Sequence, residues 1–168
     1  MTVDKESRCA VLGYGSWATA IVKTLTVNHQ HVNWLVLNDD ILKSLEERSH
    51  NVKYLPWCYI DRDYITPSKD INEVVRGVDV VFLAMPSAFL TKFLEPLKES
   101  LADKIVVSAV KGIIPGDYLT IVEHMNRYYD VPMKNLVVVT GPSHAEEVGQ
   151  CRLSYLTVAS EDNTSAER

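Results

Sequence analysis

The sequence predicts an α/β fold, a doubly wound and mostly parallel sheet covered by helices on both faces. Three observations predict it. Apolar runs of strand length alternate along the chain with segments of helical periodicity. Those runs are continuously apolar rather than alternating, as strands buried on both faces must be. Residues 11–20, VLGYGSWATA, place an apolar strand, a glycine turn and a helix-forming run in immediate succession.

The first strand, with Cys9 inside it, ends at the turn. Gly13 permits a tight reversal, Gly15 lets the backbone approach a phosphate, and Ala18 keeps the following helix close to the sheet. That helix spans 16–28, with Trp17, Ala20, Ile21, Thr24 and Leu25 at helical spacing. A second strand over 31–37 leads to Asp39 and Asp40, which cap a helix holding Ile41, Leu42 and Leu45. An aromatic loop around Tyr54, Leu55, Pro56 and Trp57 is followed by a strand near 64–66 and a helix over 68–76. The clearest buried strand is 79–84, DVVFLA, closed by Met85, Pro86 and Ser87; a helix with Phe89, Leu90, Phe93 and Leu94 follows. A strand over 105–110 runs into Lys111 and Gly112, and an amphipathic helix covers 118–128. Residues 136–140 are the next strand, ended by Gly141, Pro142 and Ser143, and 153–159 reads as one more.

At 168 residues the chain suits one compact domain with a sizeable core. Its 46% hydrophobic and 23% charged residues are those of a soluble globular protein, and no apolar run reaches membrane-spanning length. The polar, mixed-charge N-terminus lacks the features of a secretory or transit signal, so a cytoplasmic location is expected. Cys9, Cys58 and Cys151 are odd in number and widely separated, and read as free thiols. The net charge of -5 argues against a general nucleic-acid surface. No metal site is expected: the one close histidine pair, His29 and His31, has no third ligand nearby. Neither a Gly-x-Ser-x-Gly elbow nor a Gly-Lys-Ser/Thr phosphate loop is present.

In a parallel sheet of this kind, ligands bind beyond the carboxyl ends of the strands. The residues there are 13–17, Asn38, 85–87, Lys111 with Gly112, and 141–143. The turn offers backbone amides at a helix start to a pyrophosphate, which predicts a Rossmann-type dinucleotide site. At the end of the second strand an acid would favour NAD and a nearby Arg would favour NADP. Asn38 followed by Asp39 leaves that choice open, with a lean to NAD. Lys111, alone in its strand-to-loop turn, is placed to hold a phosphate or polarise a carbonyl; the plainer alternative is a solvated lysine. Gly141, Pro142, Ser143, His144 and Ala145 form a second anion-binding rim at the start of a short helix. Glu146 and Glu147 point to different sides of it and read as surface charges.

With those residues in hand, the chain resembles the N-terminal domain of the bacterial-type NAD(P)-dependent glycerol-3-phosphate dehydrogenases. The match is collinear: GYGSWATA for the family's Gly-x-Gly-Ser-Trp-Gly-Thr-Ala, Asn51 with Tyr54-Leu55-Pro56, Pro86-Ser87, Lys111-Gly112, and GPSHAEEV for Gly-Pro-Ser-x-Ala-x-Glu-Val. Ala18 replaces the third glycine, a change the general fingerprint tolerates. The resemblance implies NAD or NADP as cofactor, with Gly13, Gly15, Ser16 and Trp17 at the turn, Asn38 and Tyr54 on the adenosine side, Lys111 and Ala145 near the nicotinamide, and Pro86 as a further cofactor-binding residue. It implies that Lys111, Gly141 and Ser143 hold a small phosphate substrate, with Lys111 acting electrostatically. Residues 1–168 then form the dinucleotide-binding domain, and the family's helical C-terminal domain, which carries the general-base lysine, is expected to be missing. The activity implied is interconversion of dihydroxyacetone phosphate and sn-glycerol 3-phosphate, supplying glycerophospholipid synthesis, by a full-length homodimer; the present chain is expected to be inactive alone. A related dehydrogenase of another hydroxy acid or sugar acid, and a non-catalytic nucleotide-sensing module, stand as alternatives.

Overall fold

The computed structural model describes residues 7–167. Most of the polar N-terminal run, residues 1–6, and Arg168 lie outside the described residues. The strands are β1 (Cys9–Leu12), β2 (Val32–Leu35), β3 (Ile65–Ser68), β4 (Val80–Leu83), β5 (Ile105–Ser108), β6 (Leu136–Thr140) and β7 (Thr157–Ser160). The helices are α1 (Ser16–Val27), α2 (Asp39–Arg48), α3 (Ile71–Val75), α4 (Leu90–Leu94), α5 (Ile121–Tyr129), α6 (Ala145–Gly149) and α7 (Asn163–Glu167). They build one seven-stranded sheet of order β3-β2-β1-β4-β5-β6-β7. Every neighbouring pair is parallel except β6 with β7. The order reverses between β1 and β4, and such a switch point opens a crevice at the strands' carboxyl ends.

All four residues of β1 and of β5 are buried, which requires cover on both faces. One core layer packs Leu12, Leu83 and Val106 against Val74, Leu94 and Met125 from α3, α4 and α5. The opposite layer packs Val11, Trp34 and Val36 against Ala18 and Val22 of α1 and Ile41 and Leu45 of α2. Trp34 is fully buried at the centre of β2, and its indole Nε1 donates to the carbonyl of Gly13 at 2.7 Å. A residue deep in the second strand thus anchors the turn after the first.

Local chemistry moved several expected boundaries. Asn38, rather than Asp39 or Asp40, caps α2: its side chain accepts from the amide of Ile41, and the two acids occupy the first turn, where the helix dipole favours them. The helix expected over 68–76 begins at Ile71, because Ser68 belongs to β3 and Asp70 caps the helix. The helix expected from Tyr118 begins at Ile121. A capping box between Thr120 and Glu123 sets that start, and Tyr118 has a left-handed φ of 56° that no helix interior accepts. The last strand covers only Thr157–Ser160. Its apolar approach, Leu153 and Tyr155, is 83% and 70% exposed, so an apolar run taken for a buried strand is a surface segment.

Candidate functional site

Gly13 has φ of 123°, and a Cβ built there would lie 2.2 Å from the carbonyl oxygen of Ala84 at the end of β4. The glycine is required because β1 turns directly against its neighbour. Gly15 differs: its φ is -75° and a Cβ there would meet nothing within 4 Å. Internal packing therefore leaves open space above Gly15, at the start of the 12-residue helix α1. Ala18, in the third position of the fingerprint, is fully buried beneath the sheet's covering layer.

A buried asparagine fixes this turn. Asn51 is wholly inaccessible, and its Nδ2 donates to the carbonyl of Tyr14 at 2.9 Å and to Thr19 Oγ1 at 2.8 Å. Thr19 Oγ1 in turn donates to the carbonyl of Gly15 at 2.9 Å. The Asn51 Oδ1 accepts from the amides of Lys53 at 3.2 Å and Tyr54 at 3.1 Å. One side chain with all its polar valences used thus ties the glycine turn to the aromatic loop. Sequence reasoning noted Asn51 only as part of a motif; its role as the tie between the two segments needed the structure.

Two cavities flank the turn. The first, of ≈ 650 Å³, lies on the β2 side. Its walls are Tyr14, Leu35 and Leu37, facing Phe89, Phe93 and Pro96, with Lys69, Asp70, Ile71 and Lys92 along its edge. Neither Asn38 nor Tyr54 lines it; Tyr54 instead packs its ring 6.5 Å from that of Tyr14, which does. The pattern gave no sign of this cavity. Phe89, expected among the apolar residues of a helix, closes a short 3-10 turn before α4 and is 55% exposed.

The second cavity, of ≈ 660 Å³, lies across the switch point. It brings together Gly15, Ser16 and Trp17 from the turn, Met85 and Pro86 after β4, and Lys111 and Gly112 after β5. Gly141, Ser143, His144 and Ala145, after β6, complete it. Gly13 is buried below and does not line it. Gly141 has φ of 132°, and a Cβ there would approach the carbonyl oxygen of Tyr155 to 2.5 Å, so the rim closes against the segment leading to β7. Lys111 is the one lysine or arginine lining this cavity, and no carboxylate lines it. A positive charge facing apolar walls, serine hydroxyls and backbone amides suits an anionic or developing anionic group.

Both volumes fall in the range of about 300–1,000 Å³ usual for small-molecule sites. The open space over Gly15, which lines the second cavity, lies at the start of α1, where helix-start amides suit an anion. The residues present therefore fit a dinucleotide.

The family model described as the N-terminus of NAD-dependent glycerol-3-phosphate dehydrogenase matches residues 8–166. The chain belongs to this family. A glycerol-3-phosphate dehydrogenase NAD(P)+ of Alcanivorax borkumensis is 30% identical over 165 residues, covering 98% of this chain and 47% of that protein. One of Geobacillus kaustophilus is 34% identical over 160 residues, covering 95% of this chain and 46% of that protein. The chain thus spans about half the length of the curated relatives it matches. Among solved structures, the glycerol-3-phosphate dehydrogenase of Coxiella burnetii superposes with a TM-score of 0.83 at 23% identity, over 97% of this chain and 49% of that one. The Plasmodium falciparum glycerol-3-phosphate dehydrogenase gives 0.84 at 20% identity, over 95% and 47%. These likenesses bear out the Rossmann-type, mostly parallel fold. Among the described residues, no helix is long and apolar enough to cross a membrane.

Proposed function

We propose that residues 1–168 form the dinucleotide-binding domain of an oxidoreductase that interconverts dihydroxyacetone phosphate and sn-glycerol 3-phosphate with NAD(H) or NADP(H), feeding glycerophospholipid synthesis. The observation that carries this reading is the pair of cavities on either side of the glycine turn, one lined by Tyr14 and the other by Gly15, Ser16 and Trp17. Gly13 shapes the turn, and the backbone at Gly15, Ser16 and Trp17 holds the pyrophosphate. Asn38 and Tyr54, outside the lining of the β2-side cavity, support the adenosine side indirectly, Asn38 as the cap of α2 and Tyr54 through its ring packed beside Tyr14. Pro86 and Ala145 border the nicotinamide, and Lys111, Gly141 and Ser143 hold the phosphate substrate.

The bound nicotinamide ring supplies or accepts the hydride. The chain's own groups orient and stabilise around that event. Lys111 brings a positive charge to a cavity without carboxylates, which favours a carbonyl oxygen as it gains negative charge more than the neutral ketone. Ala109, Val110, Val138 and Val139 make one stretch of that wall apolar, while Lys111 itself is exposed. Proton transfer at the same oxygen needs an acid or base within hydrogen-bond reach. The family resemblance assigns that task to a lysine beyond residue 168, in a full-length homodimer.

Calorimetric titration of the chain with NADH and NADPH tests the binding half of the reading; saturable binding is expected, and its absence for both refutes it. A spectrophotometric assay with dihydroxyacetone phosphate, on a polypeptide that also carries the C-terminal half found in the relatives, tests the reaction. Cofactor oxidation that depends on a different hydroxy acid or sugar acid, and not on this substrate, would replace the substrate assignment.

A further inference from the structure

Two of the three cysteines lie where the aromatic loop packs against the end of α6. Cys58 is buried, and its thiol donates to the carbonyl of Gly149 at 3.7 Å. A Cβ built on Gly149 falls 3.8 Å from the same sulfur, 3.1 Å from Leu55 Cδ1 and 3.2 Å from the Trp57 ring, so the loop is seated directly on the helix. Val148 shares a core layer with Cys58. Cys151 comes two residues after Gly149. Its amide donates to the Val148 carbonyl at 2.9 Å and its φ of 54° is left-handed, which keeps it within one turn of the carbonyl that the Cys58 thiol touches.

The two thiols differ in what reaches them. Cys151 is exposed, as are residues 150, 152 and 153 around it, so a reagent finds it and the segment has room to adjust. Cys58 is 2% exposed. Burial pushes the Cys58 thiol up, Lys23 pulls it down and Cys151 adds a smaller push upward, so both charges lie within electrostatic reach of its sulfur. Lys23 Nζ stands 5.8 Å from the ring centroid of Tyr59, the next residue along, where an ammonium favours the thiolate needed for thiol–disulfide exchange. Cys9 lies apart, in β1 and a different core layer, with its thiol on the Ser7 carbonyl.

We infer that Cys58 and Cys151 form a reversible redox pair, in which Cys151 meets a low-molecular-weight disulfide first and Cys58 resolves it into an intramolecular bond that fastens the aromatic loop to α6. In the first step the Cys151 thiolate attacks one sulfur of the oxidant; the oxidant's S–S bond breaks, and one thiolate leaves and takes up the proton that Cys151 gave up. In the second the Cys58 thiolate attacks the Cys151 sulfur of the mixed disulfide, and the second thiolate leaves with the proton from Cys58. Two cysteines are oxidised and one small disulfide is reduced to two thiols. The new bond joins two walls of the site, because Asn51 ties the loop to the glycine turn and α6 begins at Ala145, which lines the switch-point cavity. The pair is independent of which ligand the cavities hold.

Oxidised glutathione is the probe. The folded 168-residue chain is incubated with it, alkylated in denaturant and mapped by mass spectrometry without reduction. The expected product joins the Cys58 and Cys151 peptides, leaves Cys9 as the alkylated cysteine and reverts with dithiothreitol. It is expected to form at least about tenfold faster in the folded chain than in urea, where a loop of roughly 90 residues must close first. In Cys58→Ala, with the fold checked by circular dichroism, glutathione is expected to stay on Cys151; in Cys151→Ser, Cys58 is expected to remain a thiol. A folded wild-type chain that keeps glutathione on Cys151 with Cys58 alkylated overturns the pair. A Cys151–Cys151 bond between two chains as the main product, or equal rates in the folded and unfolded chain, overturns it as well.

Discussion

Two glycines two residues apart are expected to fail in opposite ways when substituted. At Gly15 the backbone is extended, with φ of -75° and ψ of -174°, and a side chain meets open space. Gly15→Val is therefore expected to fold, losing only about 0.5–1 kcal/mol as a poorer helix cap. Its branched side chain fills the place where a pyrophosphate meets the turn. Displacing two charge-assisted hydrogen bonds at roughly 1.5–3 kcal/mol each weakens cofactor binding by about 10²–10⁴-fold. At Gly13 the conformation is left-handed and a Cβ would sit 2.2 Å from the Ala84 carbonyl oxygen. Gly13→Ala then costs roughly 3–6 kcal/mol in backbone strain and overpacking, and Tm falls by on the order of 10 °C or more. Thermal denaturation followed by circular dichroism, with calorimetric titration of NADH and NADPH, separates the two effects. A folded Gly15→Val chain with wild-type affinity refutes the placement of the pyrophosphate, and an unchanged Tm in Gly13→Ala refutes the steric argument.

Asn51→Leu removes the donor to the Tyr14 carbonyl and the acceptor for the amides of Lys53 and Tyr54, while Thr19 keeps only its bond to the Gly15 carbonyl. A loss of about 2–4 kcal/mol is expected, read as a Tm lower by roughly 4–16 °C. Burial first, and Asp79 second, push the Cys9 thiol from 9.0 up to about 11. A thiol whose folded value is raised stabilises the fold fully below pH 9, and that contribution is lost as pH rises to about 11. Unfolding midpoints measured across that window should fall less steeply in Cys9→Ala, and a thiol reagent at neutral pH should label the exposed Cys151 well before the buried Cys9 and Cys58. In a full-length active polypeptide, Lys111→Ala is expected to lower kcat/KM by about two orders of magnitude, and near-normal turnover would make Lys111 a surface residue. The 168-residue chain alone is expected to show no turnover of dihydroxyacetone phosphate, and turnover like that of an intact enzyme would show that its residues already hold the acid-base group.

The parallel core was legible because its signal is simple. Runs such as CAVL and VVFL are apolar at every position, and only a sheet covered on both faces buries them. The rim was legible for a related reason: in such a sheet the functional residues follow the strands, so Pro86, Lys111, Gly141 and Ser143 could be named before their meeting was seen. The adenosine side was not. Its cavity depends on Tyr14, Phe89 and Phe93 converging from separate segments, and an aromatic residue gives the same sequence signal in a core as in a cleft wall. The ion pairs of Asp39 with Lys69 and of Asp40 with Lys53 escaped for a similar reason, because the lysines come from loops 13 or more residues away. The segment before β7 misled because Leu153, Tyr155 and Leu156 have strand-like composition but no covering layer among the described residues.

The central claim is that one dinucleotide spans both cavities, with its pyrophosphate over Gly15. A crystal structure of the chain with NADPH bound tests this most directly. The account predicts pyrophosphate oxygens within hydrogen-bond distance of the backbone amides at 15–17, the adenine in the cavity lined by Tyr14, Leu37 and Phe89, and the nicotinamide between Lys111 and Ala145. A dinucleotide bound elsewhere, or one whose pyrophosphate avoids the turn while only one cavity is filled, would contradict it.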